Sequence, residues 1–498
     1  MDSKWLFLAA AMLPVTGWAG GTGCETLASS LKLEHTTILS AKTVAAGQFP
    51  APAGRGPNAG EAYKKLPAFC RVEASLKPTS DSDIHVEVWM PVEGWNGKLQ
   101  SVGNGAWAGV ISYPAMATAL AAGYATASTD TGHTGNNPDF IVGHPEKLAD
   151  FIHRAPHEMT VAAKGIIANF YGNPAKYAYW NGCSTGGRQA LTEAQRYPND
   201  YDGIIAGAPA AYVTRLQGMQ VWVAQQVHRS DAAFIPQDKF KLIHEAVLEA
   251  CDALDGVRDG VLEDPTKCKF DPKVLACKEG DGPNCLNAAQ VETARGMYSG
   301  PLTDGKPVFH GVERGTETGW NMLGGPQPMS LAVEMYKYAA FNGNWDLKDF
   351  QVADISKFEK ASGPAVNSVD PNLNAYFGRN GKLLMYHGWA DPGVPPMGTV
   401  DYFHNVTKQV GEKKAKDDMR LFMVPGMGHC GGGDGTSTFT MISAMEQWVE
   451  QGKAPETIAA SRMRDGKVDR TRPLCAFPKV AVYSGSGSAD DAANFSCK

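Results

Sequence analysis

This 498-residue chain has no run approaching the roughly 20 apolar residues that a membrane-crossing helix requires, so no membrane span is expected. It has no block of like charge longer than a few residues, and its net charge is −6. Nucleic acids are held by concentrated basic surface, which excludes them as partners. No C-x-x-C pair occurs, which removes the common zinc-site spacings. There is no internal repeat, and the only low-complexity stretch is the Ser/Gly tract Ser484–Ser488. A repeat architecture is thereby excluded.

What is present points outward. Lys4, the apolar run Trp5–Val15 and the small residue Ala19 make residues 1–19 a signal peptide, implying a secreted or periplasmic protein. The ten cysteines fit that destination, because disulfides persist in oxidising compartments. Locality pairs Cys24 with Cys70, Cys251 with Cys268, Cys277 with Cys285, and Cys475 with Cys497. Cys183 and Cys430 are left over.

The hydrophobic pattern predicts an α/β protein. Cys70–Leu76 and Ile84–Met90 alternate like an antiparallel pair that opens a sheet. Short apolar strands then follow at Leu99–Val102, Tyr124–Ser128, Tyr177–Trp180 and Gly203–Ala206, with helical spacing at Met159–Phe170 and Gln189–Arg196. That order implies a mainly parallel sheet with helices on both faces. The rhythm breaks after Pro209 and resumes at Lys382–Tyr386, Arg420–Val424 and a helix over Met441–Val449. The expected organisation is a catalytic domain of residues 24–209 and 376–498, interrupted by an inserted lid at 210–375.

Gly182-Cys183-Ser184-Thr185-Gly186 satisfies G-x-S-x-G between a predicted strand and a predicted helix, the setting of an α/β-hydrolase nucleophile elbow. A serine hydroxyl needs a base to take its proton. Asp391 follows the strand Lys382–Tyr386, and His429 follows Arg420–Val424, in the chain order Ser, Asp, His that this fold uses. His387 and His404 compete as base, but one precedes the acid and the other sits in a helical stretch. Ser184, Asp391 and His429 are therefore the expected nucleophile, acid and base. Cys183 and Cys430 adjoin two of them, and a bridge between these cysteines would tie nucleophile loop to base loop.

The segments Cys183-Ser184-Thr185-Gly186-Gly187-Arg188, Tyr386-His387-Gly388-Trp389-Ala390-Asp391 and Gly428-His429-Cys430 resemble the tannases and feruloyl esterases, a family that includes mono(2-hydroxyethyl) terephthalate hydrolases. The resemblance implies an α/β-hydrolase fold with a large lid inserted before the acid-bearing strand. It implies a serine carboxylesterase acting on small esters of phenolic acids, free or borne on plant polysaccharide or polyphenol. Feruloyl and other hydroxycinnamoyl esters rank first, galloyl esters second, and terephthalate monoesters third. A peptidase or lipase on the same scaffold is an alternative, as is a catalytically inactive binding module, which would predict a broken triad. The oxyanion hole is expected from the N–H of Thr185 and a second donor in Gly103–Trp107, either Gly105 or Ala106.

In the lid, Cys251–Val261 concentrates aspartates and tight turns. From the residues alone it is either a calcium loop or a solvated turn. It is not an EF-hand, since Thr266 stands where the twelfth-position glutamate would be. The resemblance implies structural calcium, held by side chains of Asp252, Asp255 and Asp259 and carbonyls of Val257 and Val261. No organic cofactor is expected. Met219, Trp222, Trp320 and Trp345 either pack the lid core or line a slot for a flat acyl group.

Overall fold

The computed structural model describes residues 21–50, 52, 60–107, 109–341 and 343–498. The signal peptide read at residues 1–19 lies outside the described residues. A nine-stranded sheet forms the centre, from β1 (Thr36–Val44), β2 (Phe69–Leu76), β3 (Ile84–Pro91), β4 (Lys98–Val102), β5 (Ala125–Thr129), β6 (Tyr177–Cys183), β7 (Gly203–Gly207), β8 (Lys382–Gly388) and β9 (Met419–Val424). Their order across the sheet is β1-β2-β3-β5-β4-β6-β7-β8-β9. The first three strands are antiparallel, β3 pairs antiparallel with β5, and the rest pair in parallel.

Strict alternation assigns each strand residue to a face. Ala178 and Trp180 point into one core with Ile204, Leu383, Met385 and Leu421. Tyr179, Ile205, Leu384 and Phe422 point into the other. Helices α1 (Ala155–Tyr171) and α2 (Thr185–Arg196) cover the first face, supplying Met159, Ile166 and Leu191. Helix α3 (Met441–Gln451) covers the second with Met445 and Trp448. Each such fully buried large apolar side chain contributes about 1.5–3 kcal/mol, so both layers are held firmly to the sheet.

Among the described residues, no strand of this sheet comes from the stretch between β7 and β8. That stretch builds its own core around Leu216, Phe240, Ile243, Leu286 and Trp320. A further cluster, with Val221, Tyr336, Phe350 and Phe358, packs it against Trp107, Phe151 and Ile152 of the sheet's loops. Two short hairpins, Thr457–Arg464 with Lys467–Cys475 and Ala481–Tyr483 with Phe495–Cys497, close the chain. Five disulfides join Cys24 to Cys70, Cys183 to Cys430, Cys251 to Cys268, Cys277 to Cys285 and Cys475 to Cys497.

Candidate active site

Ser184 stands between the last residue of β6 and the first of α2, with φ 64° and ψ −120°. A non-glycine residue pays a steric penalty there, so the surroundings must hold it in place. They do so by close backbone approach. A Cβ on Gly182 would lie 2.6 Å from the Gly186 carbonyl oxygen, and one on Gly103 would lie 2.5 Å from Gly186 Cα. The Ser184 N–H donates to the Gly207 carbonyl at 3.0 Å, and the Gly186 N–H to Asn104 at 2.8 Å.

That last bond ties the Gly103–Trp107 loop to the elbow. Asn104 is buried and fastened by Gln189, whose side-chain oxygen accepts from the Asn104 N–H at 3.0 Å and whose amide donates back to Asn104 Oδ1 at 3.0 Å. The Thr185 hydroxyl donates to the Ala106 carbonyl at 2.9 Å. Ala106 has φ 50°, the left-handed conformation that disfavours a side chain. The Trp107 N–H donates to Asn136 Oδ1 at 3.1 Å, so it is engaged away from any substrate. Gly105 and Ala106 remain as the two candidates for second oxyanion donor.

Asp391 is fully buried just beyond β8. One carboxylate oxygen accepts the N–H groups of Gly393 and Val394, each at 2.9 Å. The other lies 2.6 Å from His429 Nδ1 and 3.1 Å from His387 Nε2. Burial opposes its charge, but the attraction of His429 and the hydrogen bonds from both histidines outweigh it and hold the carboxyl well below the usual range. For His429 burial pulls the pKa down, yet the Asp391 charge and hydrogen bond leave it raised.

His387, a competitor for base in the sequence, supports the acid instead. Its Nε2 also lies 3.0 Å from the Val394 carbonyl, which only accepts, so Nε2 carries the proton. Nδ1 then accepts from the Thr399 hydroxyl at 2.7 Å. Nothing in the local sequence distinguishes such a supporting histidine from a base.

Ser184, Thr185, Ala106 and His429 line one cavity. Phe151, Ile152 and Arg188 also line it, together with Met322, Met329, Leu331 and Met335 of the inserted stretch. Met219, Trp222, Trp320 and Trp345 do not line it: Met219 and Trp320 are buried in the insertion's core, and the other two pack against core clusters. The sequence reading missed Arg188, Gln217 and Gln220 in the lining. Arg188 donates to the Ile152 carbonyl at 2.7 Å, and burial pulls its pKa down to about 10. Gln217 and Gln220 lie three apart on the helix Val213–Val227 and so share a face. Their buried side-chain oxygens lack hydrogen-bond partners.

The aspartate loop folds around its own backbone. Asp252 accepts from Gly260 N–H at 3.1 Å, Asp255 from Val257 N–H at 3.1 Å, and Asp259 from Val261 N–H at 3.2 Å. Asp259 also pairs with Arg472 at 2.5 Å and faces Arg470 at 3.8 Å. Burial, then repulsion from Asp259 and Asp252, raises the pKa of Asp255. Among the described residues, the group of His, Cys, Asp or Glu ligand atoms within 4.8 Å of one another is elsewhere, at His157, Glu193 and Asp200.

Residues 70–498 match the family described as tannase and feruloyl esterase. An uncharacterized esterase of Xanthomonas campestris pv. campestris is 37% identical over 98% of this chain and 93% of its own length. Feruloyl esterase B of Aspergillus niger is 31% identical, covering 95% of each chain. The crystal structure of feruloyl esterase B from Aspergillus oryzae superposes with a TM-score of 0.89 at 29% identity, over 95% of this chain and 99% of that one.

Proposed function

The chain belongs to the tannase and feruloyl esterase family and is a carboxylic ester hydrolase of α/β-hydrolase fold; we propose that it cleaves esters of phenolic acids, feruloyl esters first, through an acyl-enzyme on Ser184. The observation that carries this reading is the bonding of Asp391 to His429 at 2.6 Å beside the cavity that holds Ser184 at its strained turn.

His429 Nδ1 is held by Asp391, leaving Nε2 to take the Ser184 proton as Oγ attacks the ester carbonyl. The developing oxyanion is met by the N–H of Thr185 and that of Gly105 or Ala106. Each such donor is worth about 10²–10³ in rate, because it points at charge that exists only in the transition state. His429 returns the proton to the departing alcohol, then activates the water that frees the acid. Asp391 keeps the imidazole in the tautomer that allows both transfers.

The free side-chain oxygens of Gln217 and Gln220 suit a phenolic hydroxyl, which donates. The remaining lining is largely apolar, so a methoxylated feruloyl ring is accommodated at lower desolvation cost than a galloyl ring with three hydroxyls. Galloyl esters are the second choice. The inserted stretch acts as a lid that supplies the acyl roof. Calcium is proposed for the loop of Asp252, Asp255 and Asp259 with the carbonyls of Val257 and Val261. Burial raises the Asp255 pKa first and the charges of Asp259 and Asp252 add to it, a repulsion that a hard cation would relieve. Its contribution there is structural. The signal peptide and five disulfides support a secreted or periplasmic site of action, and no helix among the described residues is long and apolar enough to cross a membrane.

Methyl ferulate, methyl gallate and a short aliphatic ester decide the matter. Wild type should favour the ferulate, and Ser184→Ala should lower turnover by roughly 10⁵-fold. Undiminished turnover in Ser184→Ala would overturn the nucleophile; preference for gallate or for the aliphatic ester would overturn the acyl choice.

A further inference from the structure

Away from the catalytic cavity, three side chains from different elements converge: His157 on α1, Glu193 on α2, and Asp200 in the turn before β7. One nitrogen or oxygen from each lies within 4.8 Å of the others. His157 Nδ1 is 2.6 Å from Asp200 Oδ2. Glu193 is fully buried, and neither of its carboxylate oxygens has a hydrogen-bond partner. Burying an uncompensated carboxylate costs several kcal/mol, so something must neutralise it. The ammonium of Lys164 attracts Glu193 but donates to the backbone carbonyls of Asn199 and Asp200, not to the Glu193 carboxylate. Burial, then the charge of Asp200 and its hydrogen-bonding contact with Glu193, raises the Glu193 pKa well above the usual carboxylate range.

We propose that His157, Glu193 and Asp200 form a second metal site, for a borderline divalent cation of the zinc class. One imidazole nitrogen with two carboxylate oxygens is a donor set that such ions accept, with further positions open to water. The partly exposed edge of His157 provides the way in. The site is structural: it pins α1 and the turn before β7 to the helix that Ser184 heads, about two and a half turns from that serine.

The test uses the intact mature protein, stripped with chelator and resaturated with calcium so that the lid loop is occupied. Zinc is then titrated by calorimetry, with metal content measured after dialysis. One equivalent of zinc should be retained, and the melting temperature should rise by about 2–3 °C at a hundredfold excess over Kd. Glu193→Gln and His157→Gln should each abolish retention while far-ultraviolet circular dichroism stays native. If Glu193→Gln fails to fold, His157→Gln at the rim carries the test. Two results overturn the site: folded wild type that retains no zinc, or zinc retained equally by the variants. Glu193→Gln more stable than wild type, with no response to zinc in either, would instead identify a proton shared between Glu193 and Asp200.

Discussion

At the scale of single residues, Asp391 is the centre of the proposed machinery, because four donors converge on its two oxygens. The consequence is a pH dependence with a fixed sign. His429 must be neutral to accept the serine proton, and its pKa is raised once the pull of Asp391 exceeds the opposing effect of burial. The acid limb of kcat/KM should therefore have its midpoint above the free-histidine value of about 6.5. In Asp391→Asn the supporting charge is gone, so the midpoint should move down while kcat falls by about 10³–10⁴-fold. A pH–rate profile of both proteins checks this, and a wild-type midpoint below 6.5 would contradict it. The positions of Ser184, Asp391 and His429 were legible in the sequence because each follows an apolar strand at a glycine-rich turn. Gln217 and Gln220 were not, since a glutamine on a helix of an insertion carries no local signal. Asn104 and Gln189 lock together only across 85 residues of chain.

At the scale of elements, the decisive unit is β6, the turn at Ser184 and α2, roped to the His429 loop by Cys183–Cys430. Both Ser184 and Cys430 hold positive φ, so two strained loops are fastened to one another. Replacing both cysteines by serine should lower unfolding stability by about 2–5 kcal/mol. It should also reduce kcat more than it raises KM, because a triad tolerates only about 0.5 Å of drift. Denaturant titration and steady-state kinetics read the two effects separately. The parallel strands were readable as short apolar runs, buried on both faces. β1 escaped notice because Ala41 alone among its nine residues is buried, so an edge strand carries almost no hydrophobic alternation. The strand Lys467–Cys475 was missed for a similar reason: its first three residues are exposed and it is rich in charge.

At the scale of the whole molecule, the aspartate loop touches distant chain. Asp259 meets Arg470 and Arg472 of a C-terminal strand, and Glu263 accepts the Ala481 N–H at 2.7 Å. Burial pushes Glu263 up to about 7. Removing the proposed calcium from the loop should therefore loosen the docking of the C-terminus as well as the loop. Chelation should lower the melting temperature by about 5 °C, with recovery on adding calcium but not magnesium. Asp255→Asn should show the lower value with no response to either; calorimetric scans of the two proteins measure it. A different consequence follows from where the cavity's walls originate. Met322, Met329, Leu331 and Met335 come from one continuous stretch of chain, whereas Ser184, Asp391 and His429 come from the segments on either side of it. Heredity can then rewrite a large share of the cavity's lining while leaving the part that reacts untouched. A lineage built this way diversifies its diet by editing a single internal passage of the gene.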